Sequence, residues 1–278
     1  MKKKFSLEAV IVMLLALVVF IPVYSNLFYR FNARDSYYSH GFLIPLVVGY
    51  LVFRKRKALS AIEPKSSLLG LLVFILGLGL YLISLVLKVN FTSYLSIPIV
   101  ITGILLYLKG VKFTKALAFP ICFLIFMLPL PKVMIVGISF KLKIFAASAA
   151  AWLGNLINIK SSLHGSTIYY PGGTLVVGDP CSGLRSLISF VALGALFTQF
   201  SKAVLWRKLS LFVSSVPIAL ISNFVRITFL LWFSFVYGKK AASGFVHDFS
   251  GYMVFVLGFL GLVLVSKILR CQLSTENI

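Results

Sequence analysis

Long apolar runs joined by short polar or basic links set the terms on which this chain can fold. About 20 consecutive apolar residues in a helix span the hydrocarbon core of a bilayer. Such runs fall at 7–23, 40–53, 68–87, 94–108, 116–128, 187–200, 209–235 and 249–266, with 133–157 an ambiguous further case. Of 278 residues, 60% are hydrophobic and 12% charged, against roughly 25% charged in soluble domains. The pattern predicts an all-α polytopic membrane protein with about seven or eight transmembrane helices. It is read as one integral membrane domain over 1–278, with a lipid bilayer as its surroundings. A polar loop is expected at 24–39, and run 116–128 closes at Pro129-Leu130-Pro131, which no helix continues through.

The net charge of +21 is first a topology signal. Basic residues concentrate in short links: Arg54-Lys55-Arg56-Lys57, then Lys109, Lys112 and Lys115, then Lys202, Arg207 and Lys208, then Lys267 and Arg270. Such clusters mark the cytoplasmic side and give no basic face for a nucleic-acid partner. Met1-Lys2-Lys3-Lys4 and the run behind it resemble a signal sequence without a clear cleavage site, which reads as a retained anchor. Segment 133–157 carries Lys141 and Lys143 in its middle. A lysine at mid-bilayer costs at least about 2.5 kcal/mol on the most lenient scale, so this segment is placed in the interface. Every strong basic cluster except Lys239-Lys240 then lies inside, and residues 178–186 lie outside.

That outer stretch, Gly178-Asp179-Pro180-Cys181-Ser182-Gly183-Leu184-Arg185-Ser186, is the chemical focus. A short β-like segment, 166–177, precedes it and is broken by Pro171-Gly172-Gly173. Asp179 suits an N-cap and Pro180 the first helical position, which places Cys181 in the first turn of a membrane helix. Unpaired N–H groups there favour negative charge, so a thiol becomes a usable nucleophile. Arg185, at i+4, is expected on the same face one turn deeper; Asp179 disfavours a thiolate. The plainer reading of any cysteine in such a chain is a small buried hydrophobe. That reading is preferred for Cys122, and an incidental thiol for Cys271 in the polar tail.

Asn223 and Arg226 form an i, i+3 pair on one helical face. An arginine about two turns inside a membrane helix needs a partner or a wet cavity, unless it snorkels to the surface. His247-Asp248 opens the last run, where a helix N-terminus favours the neutral imidazole a general base needs. On its own His247 is better read as an interfacial residue with no role. Taken together, Cys181, Arg226 and His247 compose a Cys/His site with a fixed positive charge. A metal site recruiting His40 and His164 is weaker, because no two candidate ligands share a helix at i, i+3 or i, i+4. A transporter path or a non-catalytic scaffold for envelope or polysaccharide export is the remaining alternative.

Three segments, taken in order, carry a resemblance. They are Cys181-Ser182-Gly183-Leu184-Arg185-Ser186, Asn223-Phe224-Val225-Arg226-Ile227 and His247-Asp248-Phe249-Ser250-Gly251. Together with Tyr38-Ser39-His40-Gly41, Pro129-Leu130-Pro131 and Pro171-Gly172-Gly173, they resemble the landmarks of the exosortase/archaeosortase family, over roughly 34–266. The resemblance implies a membrane-embedded cysteine transpeptidase-like protease of the cell (inner) membrane. Its partners would be membrane-anchored proteins with a C-terminal sorting signal, and no cofactor or metal is implied. The implied catalytic trio is Cys181, Arg226 and His247, supported by Arg185, Asn223, Asp248 and His40. A histidine at the last position resembles the bacterial branch; Asp179-Pro180 departs from the small apolar residues more usual before the cysteine.

Overall fold

The structure is a computed structural model and describes residues 14–33, 36–238 and 244–271. The first part of the anchor expected over 7–23, before residue 14, and the Lys239-Lys240 pair lie outside these. Among the described residues, six helices are long and apolar enough to cross a membrane, and two apolar helices are shorter. The chain is a multi-pass helical membrane protein. It divides into two compact units that meet in sequence at Pro131 and Lys132.

The first unit begins with α1 (Ile21–Asn32), which fills most of the expected 24–39 loop. Val23, Leu27 and Phe31 recur at i, i+4, i+8 and are buried, so this stretch carries a helical apolar stripe that its polar residues disguise. A 3₁₀ turn, Ser39–Phe42, leads into α2 (Leu43–Arg54). Helices α3 (Leu68–Val86) and α4 (Asn90–Lys109) follow as an antiparallel pair. They approach closely through small residues: a Cβ on Gly70 would meet the backbone of Tyr107 at 2.1 Å, and one on Gly103 the backbone of Phe74 at 2.5 Å. Such glycines let helices pack in lipid, where there is no hydrophobic drive between them. The fifth apolar run is not one span. A short helix, Val111–Ala116, ends at the run's first residue, and the run itself divides into Ala118–Phe123 and a 3₁₀ turn, Leu124–Met127, with Pro120 close behind the first break.

The second unit carries the motif residues. Helix α5 (Lys132–Leu156) is a continuous 25-residue helix. Three strands follow, β1 (Ser162–His164), β2 (Thr167–Tyr170) and β3 (Gly173–Val176), in the antiparallel order β1-β2-β3. Pro171 and Gly172 turn the β2–β3 hairpin, with Gly172 at φ +96; this fits a type II turn, with proline and glycine as its central residues. Helices α6 (Leu184–Phe200), α7 (Leu205–Tyr237) and α8 (Phe245–Ile268) complete the unit. Alanines 146, 147, 150 and 151 of α5 pack in one buried cluster with Ile168 and Tyr170 of the sheet, Cys181, and Ile227 and Leu231 of α7. The Tyr170 hydroxyl bonds Ser234, tying sheet to helix.

Helix α7 is 33 residues long, roughly 50 Å at 1.5 Å per residue. From its start to Arg226 is roughly 32 Å, close to the thickness of a hydrocarbon core of about 30 Å. A span that began at the start of α7 would therefore end near Arg226, and residues 227–237 continue past it beside α5 and the sheet. Arg226 is three turns from the helix end rather than two, because α7 runs on to Tyr237.

Candidate active site

Cys181 is not in the first turn of the membrane helix. It closes a separate 3₁₀ turn, Asp179–Cys181, whose N-cap is Gly178, and Asp179 makes no capping bond. Cys181 N–H donates to the Gly178 carbonyl at 3.0 Å and Ser182 N–H to that of Asp179 at 3.1 Å. Gly183 then takes φ +84 and ends the turn, and α6 starts at Leu184. The Asp179 carboxylate instead receives Lys143 of α5 at 2.9 Å. That pair offsets the charge expected to oppose a thiolate, and it gives Lys143 a partner. The cost that spoke against α5 crossing the bilayer is correspondingly smaller, and α5 is one of the six helices whose length and composition permit crossing.

The structure brings Cys181, Arg226 and His247 together. Cys181 is 7% exposed, and its Sγ lies 3.1 Å from His247 Nε2. On the other side of the ring, Nδ1 lies 3.4 Å from Asp248 Oδ1. The Arg226 side chain, buried in the unit, donates from Nε to Ser250 Oγ at 3.0 Å and from Nη2 to the His247 carbonyl at 3.3 Å. Ser250 Oγ donates to the same carbonyl at 2.6 Å. Arg226 thus fastens the first turn of α8, the turn that presents His247. Ser250 was legible only as part of the third motif; its place three residues after His247 is the signal that would have marked it.

Asn223 serves a different partner from Arg226. Its side chain is 2% exposed, and its Nδ2 donates to the Cys181 carbonyl at 3.1 Å. The i, i+3 spacing put both residues on one face of α7, yet they serve different elements: Asn223 holds the Cys181 turn and Arg226 holds α8. Arg185 is not one helical turn beyond Cys181 as expected, because the Gly183 break separates the Cys181 turn from α6. Its Nε is buried without a hydrogen-bond partner. His40 belongs to the first unit, where Nε2 lies 3.3 Å from the Phe126 carbonyl oxygen. Among the described residues no three His, Cys, Asp or Glu side chains gather as a metal-binding group. Cys122, expected to be buried, is exposed, whereas the tail residue Cys271 is buried in a cluster with Phe197 and Leu262.

A cleft of 150 Å³ opens beside the thiol, lined by Leu175, Val176, Val177, Ile227, Leu230 and His247 among others. A buried thiol in contact with an imidazole, braced by a guanidinium and open to an apolar cleft, defines a Cys/His site at the end of a membrane helix bundle. The sequence matches the family model described as transmembrane exosortase over residues 32–264. The chain belongs to the transmembrane exosortase family. Comparison with curated proteins and with solved structures gave no match.

Proposed function

We propose that this protein is a membrane-embedded cysteine peptidase or transpeptidase. It cleaves the C-terminal sorting signal (PEP-CTERM-like: a short Pro-containing motif, a membrane helix and a basic tail) of exported proteins at the extracytoplasmic membrane face. The observation that carries this reading is the 3.1 Å approach of Cys181 Sγ to His247 Nε2. With its Nδ1–H directed at Asp248, His247 presents the Nε2 lone pair to the thiol and takes its proton. The thiolate attacks the scissile carbonyl carbon and gives a tetrahedral oxyanion, which the positive charge of Arg226 stabilises. The oxyanion collapses as the C–N bond breaks. His247 returns its proton to the leaving amine, and a thioester remains on Cys181. Attack by water or an amine at the thioester carbonyl then releases the product and restores the thiol.

The test is processing of a co-expressed membrane protein that ends in such a signal. Cys181→Ala and Cys181→Ser are expected to insert normally and to lose processing by about a thousandfold or more. Cys122→Ala is expected to process normally. Full processing by Cys181→Ala would return the chain to the transporter or scaffold reading.

A further inference from the structure

We propose that the substrate docks as a fourth strand, an extended peptide segment paired along the free edge of β3. This rests on the peptidase reading above. Among the described residues, the sheet order β1-β2-β3 leaves one side of β3 without a strand. Val177 N–H donates to the Ser166 carbonyl at 2.9 Å, and the β2–β3 register pairs Ile168 with Leu175 and Tyr170 with Gly173. In an antiparallel ladder, residues alternate between those that bond the partner and those that face away. Gly173, Leu175 and Val177 therefore turn their N–H and C=O groups to β2, while Thr174 and Val176 turn theirs to the open side. An edge with two such residues is a template for another extended chain.

The edge leads to the nucleophile. Past Val176 the backbone stays extended to Gly178, at φ −76 and ψ 176, and Cys181 follows within one turn. Residues 175–178 line the same cleft as Cys181 and His247. At 150 Å³ this cleft is smaller than the roughly 300–1,000 Å³ that enclose a compact small molecule. It fits one or two side chains of a strand whose backbone lies on β3. Apart from His247, the lining carries no charged side chain. Main-chain bonds to Thr174 and Val176 would give affinity, and Ile227 and Leu230 would select an apolar residue or proline beside the scissile bond.

The test measures alkylation of Cys181 in the purified full-length protein, read by mass spectrometry on the peptide that contains it. One probe is a capped apolar tetrapeptide vinyl sulfone; the other is iodoacetamide, which reports the thiol alone. In the wild type, N-methylation of an amide that pairs with β3 is expected to slow the peptide probe about two- to tenfold, the worth of one hydrogen bond. Val176→Pro removes the outward N–H at an edge position where proline is tolerated. It is expected to slow the parent probe similarly and to erase its advantage over the methylated probe, each rate being taken relative to the iodoacetamide rate of the same variant. The proposal is overturned if no amide is sensitive to methylation in the wild type, or if Val176→Pro reacts with the peptide probe at full rate. It is also overturned if a Val176→Cys variant cross-links to its own copies while probe labelling is unaffected, since the edge then serves self-association. Failure of both probes at Cys181 would remove the peptidase reading itself.

Discussion

At the scale of single residues, Arg226 does more than supply charge. Its Nε and Nη2 reach Ser250 and the His247 carbonyl, a use of the guanidinium's fixed fork of donors that a lysine ammonium on a flexible stem does not reproduce. Arg226→Lys is therefore expected to fail nearly as badly as Arg226→Ala, each losing about a hundredfold or more in processing rate. Near-normal processing by Arg226→Lys would reduce the residue to a counter-charge. Asn223→Ala acts on the other partner: it leaves the Cys181 carbonyl without its donor, a loss of about 1–3 kcal/mol for a buried group. It is expected to lower processing less than Arg226→Ala while making the nucleophile turn less stable. The check is the ratio of processed to unprocessed substrate at matched membrane levels.

Among the elements, the break between the nucleophile turn and α6 depends on Gly183. Its φ of +84 is one that side chains rarely adopt, and a Cβ there would stand 2.7 Å from Asn223 Nδ2. The left-handed conformation alone costs roughly 1–2 kcal/mol for a non-glycine residue, and the clash would push away the side chain that holds Cys181. Gly183→Ala is expected to insert, to unfold at lower temperature and to lose most processing. Gly165 provides the comparison: its φ is +61, yet nothing lies within 4 Å of an added Cβ. Gly165→Ala should carry only the backbone strain and keep most activity. Equal loss in both variants would mean that strain, not the contact with Asn223, is what matters.

For the molecule as a whole, the second unit bears on sidedness. Lys202, Arg207 and Lys208 lie where α6 gives way to α7, and Lys267 and Arg270 lie where α8 ends. Both places are at the ends of their helices away from Cys181 and His247. With basic residues inside, the site end is expected to face out. In a chain with its native cysteines replaced by serine, Ser162→Cys in the sheet is expected to react with a membrane-impermeant maleimide in intact cells or spheroplasts. Lys202→Cys is expected to react only after lysis; both positions are exposed. The reverse pattern would put the site in the cytoplasm.

What the sequence determined by itself is what contiguous residues encode. Apolar runs announced a multi-pass helical protein, and three ordered motifs identified the family that the match over 32–264 establishes. Hydropathy hid α1 and overstated 116–128, because run length does not register a buried stripe among polar residues or a break before a proline. Spacing put Asn223 and Arg226 on one face but had no means of naming their partners. Those partners, at Cys181 and at His247 and Ser250, are 42, 21 and 24 residues away along the chain. The same holds for Lys143 and Asp179, 36 residues apart. Only the packing of α5, α7 and α8 around the nucleophile turn decides these pairings, because a hydrogen bond requires two groups within about 3 Å and local sequence carries no distance between elements.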